Sequence, residues 1–456
     1  MRKRAITALT ALGVGVACLT VPSWTAGAAP AAAPAAGEYD QFIVTFADKA
    51  AKREVRAPGL TRVRETGSGS LVVRLDRGLD RAGATKLMAD LRKQAGVVDV
   101  EPDLIMTAQS EPNDPSYAEQ WHYFEAQAGM NLPTAWNTAD GAGVTVAVLD
   151  TGITSHSDLN GNVVAGYDFI SDATSARDGN GRDANPADEG DWYAAGECGS
   201  STPSNSSWHG SHVAGTIAAV SNNANGVAGV APNAKISAVR VLGKCGGRTS
   251  DIADAITWAS GGRVRGVPTN ANPADVINMS LGGLAPCSRT YQRAIDGAVS
   301  RGTTVVVAAG NSNRDVADFT PANCAGVLTV AASDREGNRS FYSNFGAGID
   351  VTAPGGEVRN ETDPPGSRTK PQDGVLSTVN AGTTTPTTEA YKTFMGTSMA
   401  APHVAGLAAL LLGERPALTP AQVESIIKST TRALPGTCTG GCGTGLVDAA
   451  AAIAAP

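Results

Sequence analysis

The segment FMGTSMAAPHVAG, residues 394–406, places Ser398 among small residues immediately before the apolar run LAALLL. Two interpretations fit this serine: it could cap the N-terminus of a helix, as serine often does, or it could be a nucleophile held there. Small neighbours would let a substrate and its backbone approach a nucleophile closely. Pro402 is expected in the first turn of the helix, where a missing N–H is tolerated. The segment alone leaves both interpretations open.

Three other polar residues stand where apolar segments begin or end. Asp150 ends VTVAVLD, His209 opens HGSHVAG, and Asn311 ends TTVVVAAGN. Together with Ser398 they supply an acid, a base, an amide donor and a hydroxyl, each on its own rigid element. This combination of groups predicts nucleophilic acyl transfer.

The predicted chemistry gives each residue type a reason. His209 would take the proton of the Ser398 hydroxyl, and Asp150 would fix the imidazole tautomer and stabilise the cation that forms. The Asn311 side-chain amide and the Ser398 backbone N–H, at the positive end of a helix dipole, would stabilise the charge on the attacked carbonyl oxygen. Taken singly, the aspartate could cap a turn, the histidine could pack in a helix, and the asparagine could belong to a loop.

Two other chemistries fit the sequence less well. The pair of His209 and His212 lacks the i, i+4 spacing and the intervening glutamate of the HExxH zinc motif. The GTSMA segment around Ser398 does not match the G-x-S-x-G elbow of α/β-hydrolases. An acyl-transfer centre built from four separate elements is therefore the favoured prediction.

The elements that must position these residues alternate along the chain from Gly143 onward. Apolar strands such as VTVAVLD, ISAVRVL and TTVVVAAGN are joined by amphipathic or small-residue helices such as SDIADAITWAS and YQRAIDGAVS. Continuous apolar strands joined by helices predict an α/β fold, a doubly wound and mostly parallel sheet with helices on both faces. Ligands of such folds bind beyond the carboxyl ends of the strands, where Asp150 and Asn311 stand.

Five segments resemble the signature segments of the subtilisin family, in that family's established order of aspartate, histidine and serine. They are DTG from Asp150, HGSHVAG from His209, SLGG from Ser280, AAGN ending at Asn311 and GTSMAAPHVAG around Ser398. The resemblance covers nearly all of residues 113–450. It implies a subtilisin-like serine endopeptidase that cleaves polypeptides through an acyl-enzyme intermediate.

The resemblance also implies a role for each matching residue. Asp150, His209 and Ser398 would form the catalytic triad, and Asn311 would complete the oxyanion hole with the Ser398 N–H. An extended substrate would lie along two segments beside the nucleophile, and a glycine there lets one backbone meet another closely. The substrate-binding residues would be Ser280, Leu281, Gly282, Gly283, Ala308, Ala309 and Gly310.

Cleavage specificity is less defined than the chemistry. Small and apolar residues around the expected groove favour broad cleavage with hydrophobic subsites. The segment Phe319–Cys324, beside the expected specificity pocket, differs from the simplest family members. Two other functions remain open: an esterase or amidase using the same triad, since acyl transfer does not require a peptide, and a binding protein that keeps the fold without turnover.

The N-terminal quarter of the chain contains three predicted segments. Residues 1–28 predict a secretory signal peptide, because the basic MRKR precedes an apolar run and then small residues. Residues 29–37 predict an unstructured spacer. Residues 38–108 alternate strands with two helices, the first around ADKAAKREVRA, which suits a small ferredoxin-like α+β module. The catalytic domain is expected at residues 111–456. After the predicted signal peptide, no run reaches the roughly twenty apolar residues that a membrane span needs. The protein is expected to be secreted and extracellular.

Residues 38–108 resemble the inhibitory propeptide of the subtilisin family, which assists folding and leaves after self-cleavage. The chain's own propeptide is therefore an expected partner, acting as an intramolecular inhibitor. The strand VVDVEPDLIM would lead its C-terminal tail into the active site. The mature chain would then begin within Met106–Asn113, a window set by the usual error in boundary predictions.

The charge distribution limits the other partners. From Glu111 onward the chain has 21 basic and 32 acidic residues, a net charge of −11. An acidic body argues against nucleic acid or an anionic membrane as partner and is compatible with cation binding. We expect a monomer that acts on polypeptide substrates.

Six cysteines follow the predicted signal peptide, and an even number in an exported chain favours disulfides over zinc ligands or a catalytic thiol. Six cysteines allow 15 connectivities. We predict pairing in sequence order, so that each pair brackets one excursion of the chain: Cys198 with Cys245, Cys287 with Cys324, and Cys438 with Cys442.

Calcium is the expected ligand. The segments NDPSY and SDL resemble family segments whose aspartates, here Asp114 and Asp158, share a calcium site with VSNNANGV, including Val220, Asn223 and Val227. Hard oxygen ligands in a loop suit calcium. The insert DGNGRDANPADEGD has enough carboxylates for a second ion, or it is a solvated acidic loop. Its candidate ligands are Asp178, Asp183, Asp188 and Asp191.

Overall fold

The computed structural model describes residues 39–47, 54–103 and 111–456. These residues fall into two compact units, divided between Thr107 and Ala108. The predicted signal peptide and spacer lie outside the described residues, as does most of the window predicted for the mature N-terminus. Among the described residues, no helix is long and apolar enough to cross a membrane.

The smaller unit is a four-stranded antiparallel sheet with one helix in its described part. Its elements are β1 Tyr39–Phe46, β2 Leu60–Glu65, β3 Leu71–Leu79, α1 Arg81–Arg92 and β4 Val97–Pro102. The sheet order β2-β3-β1-β4 confirms the ferredoxin-like α+β prediction. Asp80 caps α1 by accepting a hydrogen bond from the Gly83 N–H. The stretch predicted as the other helix falls partly on residues 48–53, outside the described residues.

The larger unit contains the remaining elements. Its strands are β5 Thr145–Asp150, β6 Val163–Asp168, β7 Lys235–Arg240, β8 Val276–Met279, β9 Gly283–Leu284, β10 Thr304–Ala308, β11 Phe319–Thr320, β12 Leu328–Ser333, β13 Val351–Pro354, β14 Val375–Asn380 and β15 Glu389–Phe394. Its helices are α2 Trp121–Phe124, α3 Leu132–Ala135, α4 Ala173–Ala176, α5 His209–Ala218, α6 Thr249–Ala259, α7 Arg289–Ser300, α8 Thr397–Glu414, α9 Pro420–Ser429 and α10 Ala449–Ala454. Single 3₁₀ turns cover Tyr117–Glu119, Asn160–Asn162, Val316–Asp318 and Pro371–Asp373.

The central sheet has the order β13-β12-β10-β8-β5-β7-β6, and its strand pairs are parallel. Successive side chains of a strand point to opposite faces. Val146 and Val148 of β5 accordingly pack in the core that contains α5 and α8, whereas Ala147 and Leu149 pack in the core that contains α6 and α7. The sheet is therefore buried on both faces, and the predicted doubly wound α/β fold is confirmed.

The strand order also explains where a site can form. From β5 the chain runs to β6 at the edge of the sheet and returns through β7, which lies between them; it then crosses to β8 on the other side of β5 and builds outward from there. The carboxyl end of β5 therefore lies at a switch point of the sheet, where crevices form in such folds. Asp150 is the last residue of β5.

Three disulfides link the larger unit. They join Cys198 to Cys245, Cys287 to Cys324 and Cys438 to Cys442. The structure thus pairs the cysteines in the expected sequence order, over separations of 47, 37 and 4 residues.

Candidate active site

Ser398 is the second residue of α8, and Gly396 occupies the N-cap position. The cap interpretation of Ser398 is therefore excluded. As a first-turn residue, Ser398 has a backbone N–H that cannot be used within the helix. Its side chain is partly exposed, whereas Thr397 and Met399 on either side are buried. The structure places an accessible hydroxyl at the positive end of a helix of 18 residues.

Pro402 is the sixth residue of α8, so its expected position in the first turn is wrong. Proline has no N–H, which leaves the carbonyl four residues earlier without its helical partner. That carbonyl belongs to Ser398, and it accepts a hydrogen bond of 2.8 Å from Ser280 Oγ instead. In return, Ser398 Oγ donates to the Ser280 carbonyl oxygen at 3.2 Å. The proline inside the helix thus frees the nucleophile's own carbonyl to bind the neighbouring segment.

His209, the first residue of α5, is bound to Asp150 by its Nδ1. The two carboxylate oxygens lie 2.8 Å and 3.0 Å from this nitrogen. Asp150 is fully buried and also accepts from the Thr151 N–H at 2.8 Å. Because Nδ1 is held by Asp150, Nε2 is the ring nitrogen left to exchange a proton. Burial alone would lower the pKa of His209, but the charge and hydrogen bond of Asp150 outweigh it and raise that pKa above 6.5.

Asn311 is oriented by Thr397. The Asn311 Oδ1 accepts hydrogen bonds of 2.9 Å from both the backbone N–H and the hydroxyl of Thr397. Two donors on one side-chain atom identify that atom as the oxygen, so the amide nitrogen Nδ2 is the free end. Gly396 adjoins this amide: a Cβ placed on it would lie 3.4 Å from Nδ2, an ordinary van der Waals distance. The structure thus fixes a donor beside the start of α8.

The loop that carries Asn311 rests on a buried asparagine, Asn344. Its Nδ2 donates to the Ala309 carbonyl at 2.8 Å, and its Oδ1 accepts from the backbone N–H groups of Ser312 and Arg314. Sequence reasoning missed both Asn344 and Thr397. Thr397 gave a weak signal, as a polar residue adjoining the nucleophile, whereas Asn344 lies far along the chain and gave none.

Asp188 supports the turn that follows Asp150. Thr151 Oγ1 donates to Asp188 Oδ2 at 2.6 Å and accepts from the Gly210 N–H at 3.0 Å. Asp188 is buried, and that burial raises its pKa to about 7. Asp188 was predicted as a ligand of a second ion, but its contacts brace the acid-bearing turn against the start of α5.

The other acidic residues of the insert are also engaged separately. Among the residues that the structure describes, no group of three or more histidine, cysteine or acidic side chains is suited to a metal ion. Each carboxylate has its own partner: Asp178 lies 3.5 Å from Arg240 Nη1, Asp183 accepts from the Asn185 N–H, and Asp191 accepts from the N–H and hydroxyl of Ser207. Each of these carboxylates is thus held by its own protein partner, and the second ion stays a prediction.

The two expected substrate segments contact the first two residues of α8, Ser398 and Thr397. Residues 280–283 follow β8 and begin at the Ser280 carbonyl that accepts from Ser398 Oγ. Residues 308–310 end β10 and lead into Asn311, and the Gly310 N–H donates to Thr397 Oγ1 at 3.0 Å. A Cβ placed on Gly283 would meet nothing within 4 Å. That side of the segment is therefore open to another chain.

The expected calcium residues also lie together. Asp158 accepts from Asn223 Nδ2 at 2.7 Å and from the Val227 N–H at 2.9 Å, and the Val220 N–H donates to the Asp158 carbonyl. Asp114 accepts from the Asn223 N–H at 3.3 Å. Both aspartates are buried, and burial raises the pKa of each. Two buried carboxylates thus share one loop of oxygen-bearing residues.

Asp150, bound to His209, ends β5, and Asn311 follows β10, both at the carboxyl edge of the doubly wound parallel sheet. Asn311 is held by Thr397, the neighbour of the Ser398 hydroxyl at the start of α8. This combination defines a serine hydrolase. The model of the Subtilase family, peptidase S8, matches residues 141–445. The chain belongs to the subtilase family.

Individual relatives agree with this assignment. The chain is similar to an extracellular protease of Xanthomonas campestris, at 53% identity over 100% of this chain and 80% of that protein. It is 45% identical to an extracellular basic protease of Dichelobacter nodosus, over 86% of this chain but only 64% of that protein. A solved protease from Pseudoalteromonas arctica has a TM-score of 0.73 at 59% identity, over 76% of this chain and 99% of the other. The enzyme class is therefore that of subtilisin-like serine proteases.

Proposed function

We propose that this chain is a secreted serine endopeptidase in which Asp150, His209 and Ser398 form the catalytic triad. The observation that carries the proposal is the hydrogen bond of 2.8 Å between Asp150 and His209 Nδ1, which leaves Nε2 as the general base. The names of the relatives from Xanthomonas and Dichelobacter, both extracellular proteases, support secretion and protein substrates.

Acylation begins with the Ser398 hydroxyl. It turns from the Ser280 carbonyl toward His209 Nε2 and gives up its proton as Oγ attacks the substrate carbonyl. The negative charge that forms on the carbonyl oxygen is stabilised by Asn311 Nδ2 and the Ser398 N–H. His209 then returns the proton to the leaving amine, and the C–N bond breaks to give an acyl-enzyme.

Deacylation repeats the proton transfers with water. His209 Nε2 removes a proton from a water molecule, which attacks the ester carbon of the acyl-enzyme. The new oxyanion occupies the same position, and Ser398 leaves with the proton held by His209. Asp150 stays ionised throughout and stabilises the imidazolium at each transfer.

Protein substrates are favoured over small esters because the site offers a long backbone surface. The space over Gly283, at the end of residues 280–283, is open, so an extended polypeptide can lie along this segment. A small ester would use the triad but not this surface. The expected outcome is efficient digestion of casein, with short esters as weaker substrates.

Casein digestion and hydrolysis of a short ester, compared for the wild type and Ser398→Ala, test this function. Ser398→Ala should lose activity by several orders of magnitude on both substrates. Ser300→Ala, which changes an exposed serine at the end of α7, is the matched control and should retain activity. Ester hydrolysis without casein digestion would indicate an esterase, and no turnover of either substrate would indicate a binding protein.

The N-terminal segments are assigned by the same proposal. Residues 1–28 direct secretion, residues 29–37 are a spacer, and residues 38–108 act as an inhibitory propeptide that the catalytic domain, residues 111–456, removes from itself. The ferredoxin-like fold of the smaller unit supports this assignment. The mature enzyme acts as a monomer.

Calcium is proposed as a structural ligand of the loop between Val220 and Val227. The donor set fits, because Asp114, Asp158 and the nearby carbonyl and amide oxygens are the hard oxygens that calcium prefers. Burial disfavours the charged form of both aspartates and so raises their pKa, and a bound cation would offset this cost. When bound, calcium would hold this loop to the segment around Asp114.

A further inference from the structure

The ring of Phe319 lies between the two segments expected to bind substrate. A Cβ placed on Gly310 would lie 2.7 Å from Cε1 and 2.8 Å from Cδ1 of this ring, and a Cβ placed on Gly282 would overlap Cε1. Carbon atoms in favourable contact are about 3.5–4.0 Å apart. The ring therefore packs directly on the backbone of both segments, in space that any other residue at either glycine would fill.

The same two segments meet at the nucleophile. The Ser280 carbonyl accepts from Ser398 Oγ, and Asn311 directly follows Gly310. Under the proposed function, a carbonyl attacked by Ser398 would point its oxygen to Asn311, and the chain before it would run along residues 280–283. The side chain of the residue that supplies this carbonyl must then enter the space between the two segments. That is the space that borders the Phe319 ring.

We propose that Phe319 closes this pocket and restricts the residue before the scissile bond to small side chains, namely glycine, alanine or serine. The inference rests on the proposed endopeptidase function and narrows its substrate class. An aromatic or long aliphatic side chain would have to displace the ring. The broad hydrophobic preference expected from the small residues around the groove is thereby replaced by a size limit at one position.

The backbone on both sides of Phe319 is held in place. Strand β11 pairs antiparallel with β9, with Phe319 opposite Leu284. Asn323 Nδ2 donates to the carbonyl of Ala285 at 3.0 Å and to that of Ala317 at 2.8 Å. The Cys287–Cys324 disulfide joins the two segments just beyond the ladder. Phe319 remains partly exposed, so the ring is a fixed wall that substrate can contact.

Peptide substrates that differ at one residue test this wall. Two tetrapeptide p-nitroanilides, identical except for alanine or phenylalanine before the scissile bond, are compared by kcat/KM. The wild type should prefer the alanine substrate by at least about tenfold. Phe319→Ala should change the ratio by about 10–200-fold toward phenylalanine, the range expected for hydrophobic pocket contacts. Phe319→Leu should give an intermediate ratio.

The control is Thr320→Val, which changes the next residue of β11. Its side chain points to the opposite face of the strand, where the hydroxyl lies 4.0 Å from Cys324 Sγ. This variant should keep the wild-type ratio. Each ratio is measured on one preparation, so it does not depend on the fraction of correctly folded enzyme. If Phe319→Ala folds poorly, Phe319→Leu, which keeps a bulky apolar side chain, provides the second variant.

Two results would overturn the inference. Phe319 does not limit the pocket if the wild type cleaves both peptides equally well, or if neither Phe319 variant shifts the ratio. In either case, cleavage of the peptides would still support the proposed endopeptidase function. If neither peptide nor casein is cleaved by the wild type, the endopeptidase function fails and the pocket inference fails with it.

Discussion

At the scale of single residues, the hydrogen bond between Asp150 and His209 sets the proton affinity of the base. The base must be neutral to act, and its pKa is raised above 6.5 despite its burial. We therefore expect kcat/KM to rise with pH through a midpoint above 6.5. Asp150→Asn removes the negative charge, so the midpoint should move to lower pH, while kcat falls by about 10⁴-fold because the tautomer is no longer fixed.

The measurement is kcat/KM against pH for the wild type and Asp150→Asn. Asp140→Asn, which changes an exposed aspartate before β5, serves as the control and should leave the midpoint unchanged. If the midpoint of the rise in kcat/KM lies at the same pH in the wild type and in Asp150→Asn, the titrating group is not His209.

Thr397 is the residue whose role is least visible in the sequence. Its N–H and hydroxyl hold Asn311 Oδ1, and the hydroxyl also accepts from the Gly310 N–H. Thr397→Val should let the amide of Asn311 rotate, which lowers kcat/KM by about 10–100-fold, less than the 10²–10³ lost when such a donor is removed outright. Thr397→Ser keeps the hydroxyl and should stay near wild type. Equal losses in the two variants would assign the effect to packing.

At the scale of elements, α8 and the segment after β8 are joined by the exchange between Ser280 and Ser398. Ser280→Ala leaves the part-buried Ser398 carbonyl without a donor, which costs at most about 1–3 kcal/mol. Pro402→Ala restores the N–H that can bind this carbonyl within the helix. The double variant should therefore be more stable than the sum of the single changes predicts, by a coupling of about 0.5–3 kcal/mol.

Denaturant unfolding of the mature enzyme, inactivated with phenylmethylsulfonyl fluoride to prevent self-digestion, measures this coupling. Combining Pro402→Ala with Ser300→Ala is the control, because changes at distant sites are expected to be additive. Additive effects of Ser280→Ala and Pro402→Ala would show that the proline does not act through the Ser398 carbonyl.

Elements of the larger unit could be predicted from the sequence because they leave periodic signals. The apolar runs that form β5, β8 and β10 are buried on both faces, and Asp150 at the end of β5 interrupts such a run with a charge.

Contacts between distant segments leave no such signal in the sequence. Pro402 was placed in the wrong turn because the helix start, at Thr397, can be fixed only once the Gly396 backbone is seen. Phe319 stood in a segment that merely differed from the simplest family members.

The acidic insert shows the same limit. Its carboxylates are dense along the chain, which suggested a shared ion. In three dimensions, Asp188 turns inward to Thr151 whereas Asp191 holds the segment before His209 through Ser207. Density along the sequence does not decide whether side chains converge, because each one follows the local turn of its own backbone.

At the scale of the whole molecule, the stability of the catalytic unit is expected to depend on calcium. A ligand that binds only the folded form at 100 times its dissociation constant adds about 2.7 kcal/mol. Chelation should therefore lower the melting temperature by several degrees. Asp158→Asn should melt at a lower temperature than wild type in calcium and should respond little to chelator. Asp296→Asn, an exposed change on α7, should respond like wild type.

The pH dependence adds a check on this site. Burial raises the pKa of Asp114 and Asp158, so the calcium-free folded form binds more protons than the unfolded chain. These two groups therefore make the chelated protein less stable as pH rises from about 4 through their raised pKa values. An unchanged melting temperature after chelation, measured on the inhibited enzyme, would contradict the calcium site.

Maturation tests the two units together, because it requires the catalytic unit to act on the chain that precedes it. Cleavage within Met106–Asn113 needs the nucleophile, so Ser398→Ala should accumulate as an uncut precursor without signal peptide, or as a folded form that keeps its N-terminal unit. Asn311→Ala should still process, but slowly, because losing one oxyanion donor costs about 10²–10³ in rate. N-terminal sequencing and mass spectrometry of protein purified away from other proteases measure both results. If Ser398→Ala acquires the same mature N-terminus at the wild-type rate, another enzyme performs the cleavage, and residues 38–108 lose their role as a self-removed inhibitor.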